Sequence, residues 1–349
     1  MRWLAVHPGP NFSVADVYAG WVESLRALGQ QVETYNLDDR LSFYISALVE
    51  TGMHDEAGHP AVRQAMDRET AVSLAAERVF EACYRFWPEV VLVVSSFFLP
   101  SRLLEVMQNR GHKIVLLHTE SPYQDEEQLE RAQFASVNLL NDPVNIEKYR
   151  ALGMPAEYMP HAYRPSLHHP GPADPRLACD LSFSGTGYPS RIEFFEQMDL
   201  KGIETILAGN WMPLSDESHL NAMLCTEKDE CLDNDQTVEL YRSSKAGINI
   251  YRQESEDQHA GEGWAIGPRE VEMAATGLFY LRDSRGEGDE LFKQLPVFHG
   301  PQDASQQLRW WLAHDDAREV AAQYAREAVA DRTFDNNARR LLQILDRLK

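Results

Sequence analysis

Short apolar runs alternate with stretches of helical period along most of the chain. Residues 3–6 read as a strand, a Gly/Pro loop follows, and the amphipathic stretch 14–28 predicts a helix that stops at Gly29. Residues 31–35 resume as a strand. Residues 41–60 carry no clear period, 69–86 is helical, and the unbroken aliphatic run 89–94 predicts a strand buried on both faces. Helices at 101–109, 126–134 and 144–152 then alternate with strands at 113–117 and 137–140. Alternation of this kind predicts a parallel sheet with helices on both faces.

A Pro/His-rich stretch interrupts the rhythm, from Pro160 and His161 through Pro165, His168, His169, Pro170 and Pro172 to Pro175. It is expected to be an exposed linker; its three histidines raise metal binding as the other option. The alternation restarts with strands at 179–184, 203–207, 246–250 and 278–281 and helices at 191–198, 237–241 and 269–275. Three helices close the chain, at 302–314, 317–330 and 336–348. The expected architecture is α/β with two Rossmann-like lobes: 1–160, a linker at 161–176, 177–330, and a terminal helix in 331–349 packing back toward the first lobe. A chain of 349 residues suits two such cores.

Charge narrows the partners. Acidic residues outnumber basic ones 54 to 33, the formal net charge is -21, and basic runs reach only pairs such as Arg339-Arg340. Docking on duplex DNA, which needs clustered Lys and Arg, is disfavoured, although a local basic patch stays possible. Cys83, Cys179, Cys225 and Cys231 are scattered and lack zinc-ligand spacing, so they read as reduced thiols. With no signal-peptide core and no membrane span, a cytoplasmic location is expected.

Ligands of open α/β sheets sit beyond the C-terminal strand ends, which directs attention to five loops. Ser184-Gly185-Thr186 leads into a helix start carrying Arg191, where backbone amides and a guanidinium would suit a diphosphate; a plain turn is the other reading. Gly209-Asn210-Trp211 offers close backbone approach and an indole that either covers a base or fills a core. Asn249, Tyr251 and Arg252 leave a strand end together, or else Asn249 closes a turn. Glu262, Gly263 and Trp264 precede a helix on which Arg269 and Glu272 share a face, as a phosphate cation with a ribose-binding carboxylate or as an ordinary ion pair. In the first lobe, His118, Glu120 and Tyr123 follow one strand and His7, Pro8 and Gly9 another. There His118 and Glu120 are the catalytic candidates, and His7, Gly9 and Tyr123 the acceptor-side ones; a structural histidine is the alternative.

The second half resembles the C-terminal lobe of GT-B glycosyltransferases, especially the spore-maturation CgeB-like branch. Arg269, Glu272, Ala275 and Gly277 stand at the places of that family's Arg-x-x-Glu, Ala and Gly, before the strand Leu278-Phe279-Tyr280-Leu281 and Asp283. The resemblance extends through Ser184-Gly185-Thr186, Arg191 and the terminal helices, and more loosely to Asn141-Asp142 and Pro160-His161-Ala162. It implies a metal-independent enzyme with no cofactor, using a nucleotide-sugar, UDP-sugar favoured, as co-substrate. By analogy with retaining relatives Glu272 would grip the donor ribose, while Trp264 stands where the fuller motif has a second Glu. The chain also resembles actinobacterial phage and prophage glycosyltransferases, which implies a protein hydroxyl acceptor such as Ser or Thr of a phage structural protein, with hydroxymethylated DNA bases or a cell-surface glycan as alternatives, the acidic charge favouring protein. Three rivals stand beside this reading. Asp233-Asn234-Asp235 has the letters of a metal-dependent Asp-x-Asp site but lies in a polar stretch expected to be a solvated loop. A nucleotide-sugar 2-epimerase would share the architecture, and a non-catalytic sugar-nucleotide-binding protein would keep the fold without turnover.

Overall fold

The computed structural model describes residues 1–10, 14–50, 57, 63–120, 124–254 and 263–348. The chain divides into two compact units, Met1–Met159 with Ala338–Lys349, and Pro160–Asn337.

Unit 1 is built on strands β1 (Arg2–Val6), β2 (Gln31–Tyr35), β5 (Val90–Val94), β6 (Lys113–His118), β7 (Val137–Leu140) and β8 (Ala156–Tyr158). A separate antiparallel pair is formed by β3 (Leu48–Glu50) and β4 (Arg63–Ala65). The six strands make one parallel sheet in the order β2-β1-β5-β6-β7-β8. Every residue of β5 is buried, as its uninterrupted aliphatic run requires of a strand covered on both faces. The stretch 69–86 folds as two helices, Arg68–Glu77 and Val79–Phe86, with Asp67 capping the first. In the stretch that lacks a period, Leu37–Ile45 is helical because the Asn36 side chain accepts the Asp39 N–H at its start and Leu37 and Leu41 bury one face. The last helix, Phe334–Arg347, buries Ala338, Leu341, Ile344 and Leu345 on a single stripe.

Unit 2 holds β9 (Cys179–Ser184), β10 (Thr205–Ala208), β11 (Ser244–Asn249) and β12 (Tyr280–Arg282), parallel in the order β10-β9-β11-β12. The chain leaves β9 toward one side and returns to pair β11 on the other, so the connection reverses at the β9/β11 seam. The Pro/His-rich stretch is not uniformly exposed as expected. His168 is buried with Nδ1 accepting the Arg164 N–H, and Tyr163 bridges Thr333, so the first part of the stretch belongs to the packing of this unit. Only residues from His169 onward run mainly along the surface.

Candidate functional site

The seam between β9 and β11 is a topological switch point, the place where open α/β sheets leave a crevice beyond their C-terminal strand ends. Ser184 ends β9 and Asn249 ends β11. One side chain ties them together: Arg269 donates from Nε to the Ser184 carbonyl at 2.5 Å and from Nη1 to Asn249 Oδ1 at 2.9 Å, with its guanidinium 5.0 Å from the Phe183 ring centre. Arg269 stands in the first turn of the helix Pro268–Thr276, where Pro268 starts the helix and Gly277 ends it in the left-handed conformation. Glu272, three residues on, is half-buried, with a carboxylate oxygen within 4.8 Å of a ring nitrogen of His168. Burial raises the Tyr241 hydroxyl well above its ordinary range and Glu272 adds to the rise, while Arg269 and a hydrogen bond with Ser184 oppose it. Ser184, Tyr241, Arg269 and Glu272 therefore share one small polar region.

The two glycine loops meet at its edge. Gly185 N–H donates to the Ala208 carbonyl at 2.9 Å and Gly187 N–H to the Asn210 carbonyl at 2.7 Å, so the loops after β9 and β10 run against each other backbone to backbone. Gly209 has φ +113°, and a Cβ there would lie 2.5 Å from the Gly185 carbonyl oxygen. The close packing of the two loops fixes the half-buried Gly185-Thr186 backbone beside Arg269.

Beside it lies an acidic-phenolic cluster in which Glu270 is the member that sequence reasoning passed over. The Tyr251 hydroxyl donates to the fully buried Glu270 carboxyl, the Tyr251 N–H donates to Asp283 Oδ2 at 2.7 Å, and Arg285 lies 4.4 Å over the Tyr251 ring. Burial, opposed by the Tyr251 hydrogen bond, lifts the Glu270 carboxyl to about 7; burial, opposed by the bond from the Tyr251 N–H, lifts Asp283 to about 6. The Glu270 Oε1 and Asn249 Nδ2 atoms are buried without a hydrogen-bond partner among the described residues. Nothing in the apolar pattern distinguishes Glu270 from a surface residue; only its adjacency to Arg269 could have drawn notice.

A family profile described as "Glycosyl transferase-like" matches residues 191–345, which covers most of unit 2 and continues into the last helix. No curated protein matches the chain. Solved structures of similar fold span nearly the whole of it. A sucrose-phosphate synthase from Thermosynechococcus elongatus superposes with a TM-score of 0.66 at 13% identity, covering 100% of this chain and 99% of that one. An alpha-glucosyltransferase in complex with UDP and a 13-mer DNA gives 0.60 at 10%, covering 100% and 99%. A Listeria monocytogenes structure described as a "putative UDP-N-acetylglucosamine 2-epimerase" gives 0.61 at 14%, covering 98% and 94%. The fold is that of the GT-B glycosyltransferases.

Within this GT-B fold several expected site residues turn out to be structural. Trp211 is fully buried between Phe183 and Phe195, with its indole N–H donating to the Ala208 carbonyl at 3.3 Å, so it fills the core and cannot cover a base. Arg191 is buried and donates to the carbonyls of Ile250 at 2.9 Å and Thr186 at 3.0 Å; it fixes the loops rather than offering a free guanidinium to phosphate. The helix start Pro189–Gln197 is filled by Glu254, whose carboxylate accepts the Ser190 N–H at 2.8 Å and its hydroxyl at 2.9 Å. Burial pushes Glu254 up, but these bonds outweigh it and hold the group below the usual carboxylate range. Asp233 is exposed and lies just outside the regular elements, as a solvated loop residue would. It caps the helix Asn234–Ser243, with Oδ1 accepting the Gln236 N–H at 2.8 Å while Gln236 accepts the Asp233 N–H.

His118 requires a correction in unit 1. It is 2% exposed, with Nε2 at 2.8 Å from Asn138 Oδ1, and since the Asn138 amide donates to the carbonyls of Ala132 and Pro155, the imidazole Nε2–H is the donor. Burial lowers its pKa to about 4. A neutral, enclosed imidazole braces β6 against β7 and cannot reach an acceptor hydroxyl. Glu120 is half-buried, its N–H donating to Gln128 at 3.4 Å. His7 is half-buried after β1, edge-on to Tyr18 at 4.9 Å, with Nδ1 accepting the Gly9 N–H at 3.2 Å; Gly9 has φ +79°. Burial lowers the His7 pKa, against Asp38 and Asp39. In unit 2, Asn210 Oδ1 accepts the Met212 N–H, Arg252 donates to the Tyr188 hydroxyl at 3.1 Å, and half-buried Trp264 lies against Gly286. Tyr123 and Glu262 fall outside the described residues.

Proposed function

We propose that this chain is a glycosyltransferase that moves a sugar from a nucleotide-sugar, a UDP-sugar by preference, to a hydroxyl group. The supporting observation is the Arg269 clamp on Ser184 and Asn249 at the switch point of unit 2, with Glu272 one turn further along the same helix. In this reading the diphosphate lies over the Gly185-Thr186 backbone and the positive start of the helix Pro268–Thr276, and Glu272 accepts the ribose hydroxyls. Arg269 presents a charge while holding the strand ends that shape the crevice. The leaving diphosphate is neutralised by Arg269, Arg252 and backbone N–H groups, without a divalent cation or a resident cofactor. Retention of anomeric configuration follows from the Glu272 resemblance. The net charge of -21 favours a protein hydroxyl over duplex DNA as acceptor, and a CgeB-like, phage-encoded origin would fit a phage structural protein in that role.

The test is a thermal-shift screen of UDP-, GDP-, ADP- and TDP-sugars with EDTA present, because a donor that binds only the native state raises its apparent stability. A shift with one nucleotide that Glu272→Gln abolishes supports the assignment. The absence of any shift removes it. Release of free sugar or formation of a glycosylated product then separates a transferase from a binding protein, and formation of an epimeric nucleotide-sugar would identify a 2-epimerase.

A further inference from the structure

A second cavity of unit 2 opens at the opposite ends of the same strands. It has a volume of 530 Å³ and lies where Ser244 and Lys245 begin β11 and where Gly277 and Leu278 precede β12, while Ser184 and Asn249 mark the far, C-terminal ends. That volume is in the range of small-molecule sites. Four cations line it, Arg242, Lys245, Arg318 and Arg326, against one carboxylate, Glu319. In a chain of net charge -21 such a concentration of positive charge runs against the background.

Three separate elements bring these cations together. Arg242 comes from the end of the helix Asn234–Ser243, and it donates to the carbonyls of His169 and Leu167, each at 2.9 Å. Lys245 comes from β11, and Arg318 and Arg326 from the helix Asp315–Ala328. Eight residues along a helix is about 12 Å, so the two arginines of that helix sit at opposite ends of one face with Ala322 between them. Lys245 is partly neutralised by Asp180 at 2.7 Å and Arg318 by Asp315 at 2.7 Å. Neither Arg242 nor Arg326 forms a salt bridge with a described carboxylate; Arg242 is held by its two carbonyl bonds with its remaining Nη beside the cavity, and Arg326 is exposed at the cavity wall. Phe279 and Leu278 supply an apolar floor; the Thr276 and Ser244 hydroxyls donate to helix carbonyls, and although Ser244 Oγ also accepts from the Cys179 thiol at 3.3 Å, each keeps accepting capacity for a donor on a ligand.

We propose that this cavity binds a phosphate monoester of a small hydroxylated molecule, at a site separate from that of the nucleotide-sugar. Arg242 and Arg326 meet the phosphate dianion, and Glu319, Ser244 and Thr276 accept hydroxyl hydrogens of the organic part. A small anion is favoured over a nucleic acid because the basic residues form a bounded concavity rather than a stripe.

The test uses isothermal titration calorimetry on the full chain, with a hexose 6-phosphate and with inorganic phosphate as probes, each on wild type, on Arg326→Glu with Lys245→Glu, and on Arg269→Ala. Both cavity substitutions are at exposed side chains, and circular dichroism checks that the variant folds. The expected result is hexose phosphate binding by wild type and Arg269→Ala alike, weakened at least tenfold in the charge-reversed variant and tighter than inorganic phosphate. Equal affinity for the two probes would reduce the site to a phosphate-only one and overturn the monoester assignment. No binding by wild type, unchanged binding by the charge-reversed variant, or loss in Arg269→Ala would overturn the site. Because Arg269→Ala reports on the nucleotide-sugar reading, the two readings fail separately.

Discussion

Arg269 Nη1 lies 2.9 Å from Asn249 Oδ1 at the end of β11, one half of a fork that bridges the seam between the parallel strands β9 and β11. Its Nε holds the neighbouring strand end through the Ser184 carbonyl. The fork geometry matters here, since a lysine offers a single point charge and cannot hold both acceptors in fixed directions. Arg269→Ala is expected to weaken nucleotide-sugar binding by about 1.5 to 3 kcal/mol, the range for a lost charge-assisted hydrogen bond. Arg269→Lys should recover only part of that loss. Calorimetric titration of the donor into both variants measures it, and full recovery by lysine would show that charge alone matters.

The contact of Gly209 with Gly185 gives a prediction about folding rather than binding. At φ +113° a side chain is strained, and the Cβ of alanine would also press on the Gly185 carbonyl. Gly209→Ala should cost at least about 1 kcal/mol in urea unfolding and disturb the loop after β9. Gly202→Ala is the control, because Gly202 also has positive φ, +73°, but faces open space. Equal losses in the two variants would assign the cost to backbone strain alone.

Much of this framework is legible in the sequence, because burial on both faces and the 3.6-residue period leave direct marks. The β5 run and the helix Ser101–Asn109 are examples. The helix Leu37–Ile45 and the strand Ala156–Tyr158 were not legible, the first because Phe43 and Ile45 are apolar yet exposed and blur the period that buried Leu37 and Leu41 set, the second because three residues are too short to show a period. At the candidate site, the strand-end rule pointed to Ser184 and Asn249, which Arg269 ties together, but a one-dimensional pattern cannot say which way a side chain turns. Arg191 and Trp211 follow the right strands and face inward, and His118 is enclosed by Asn138, a polar residue whose place inside an apolar strand was the available signal.

Enclosure of His118 has a pH signature. Its folded pKa of about 4 lies below the ordinary 6.5 because burial disfavours the imidazolium. Below pH 6.5 the unfolded chain takes up a proton that the folded chain refuses, so stability falls as the pH drops from 6.5 toward 4, by about 1.4 kcal/mol for each pH unit from this group. His118→Gln keeps a donor for Asn138 and should flatten that part of the curve. Melting temperatures of both proteins between pH 7.5 and 5 test it; parallel curves would mean that His118 is protonated in the folded state.

Glu270 acts with the opposite sign. Its folded pKa of about 7 exceeds the ordinary 4.5, so its contribution is complete below pH 4.5 and is lost as the pH rises through 7, where the buried carboxyl must ionise or the chain unfold. Glu270→Gln substitutes a permanently neutral group that can still accept the Tyr251 hydroxyl. The difference in melting temperature, variant minus wild type, is expected to grow between pH 5 and pH 8. A flat difference would place the carboxylate in its ionised form throughout.

The last prediction concerns the divalent cation. Asp233 supplies Oδ1 to the Gln236 N–H and its own N–H to Gln236, so removal of its side chain removes a helix cap. Asp233→Ala should therefore lower stability by about 1 kcal/mol and leave transfer intact at a temperature where the variant is folded. Turnover by the wild type should likewise survive EDTA, since the proposed site neutralises diphosphate with Arg269, Arg252 and the start of the helix Pro268–Thr276. The measurement is product formation from the donor identified by thermal shift, with and without chelator, followed by proton NMR of the first-formed anomer. Activity abolished by EDTA and restored by manganese would make Asp233 and Asp235 metal ligands in spite of the cap. An inverted product would instead demand a general base at the acceptor, and because His118 is enclosed, that role would pass to Glu120 or to His7, whose Nδ1 is already fixed by the Gly9 N–H.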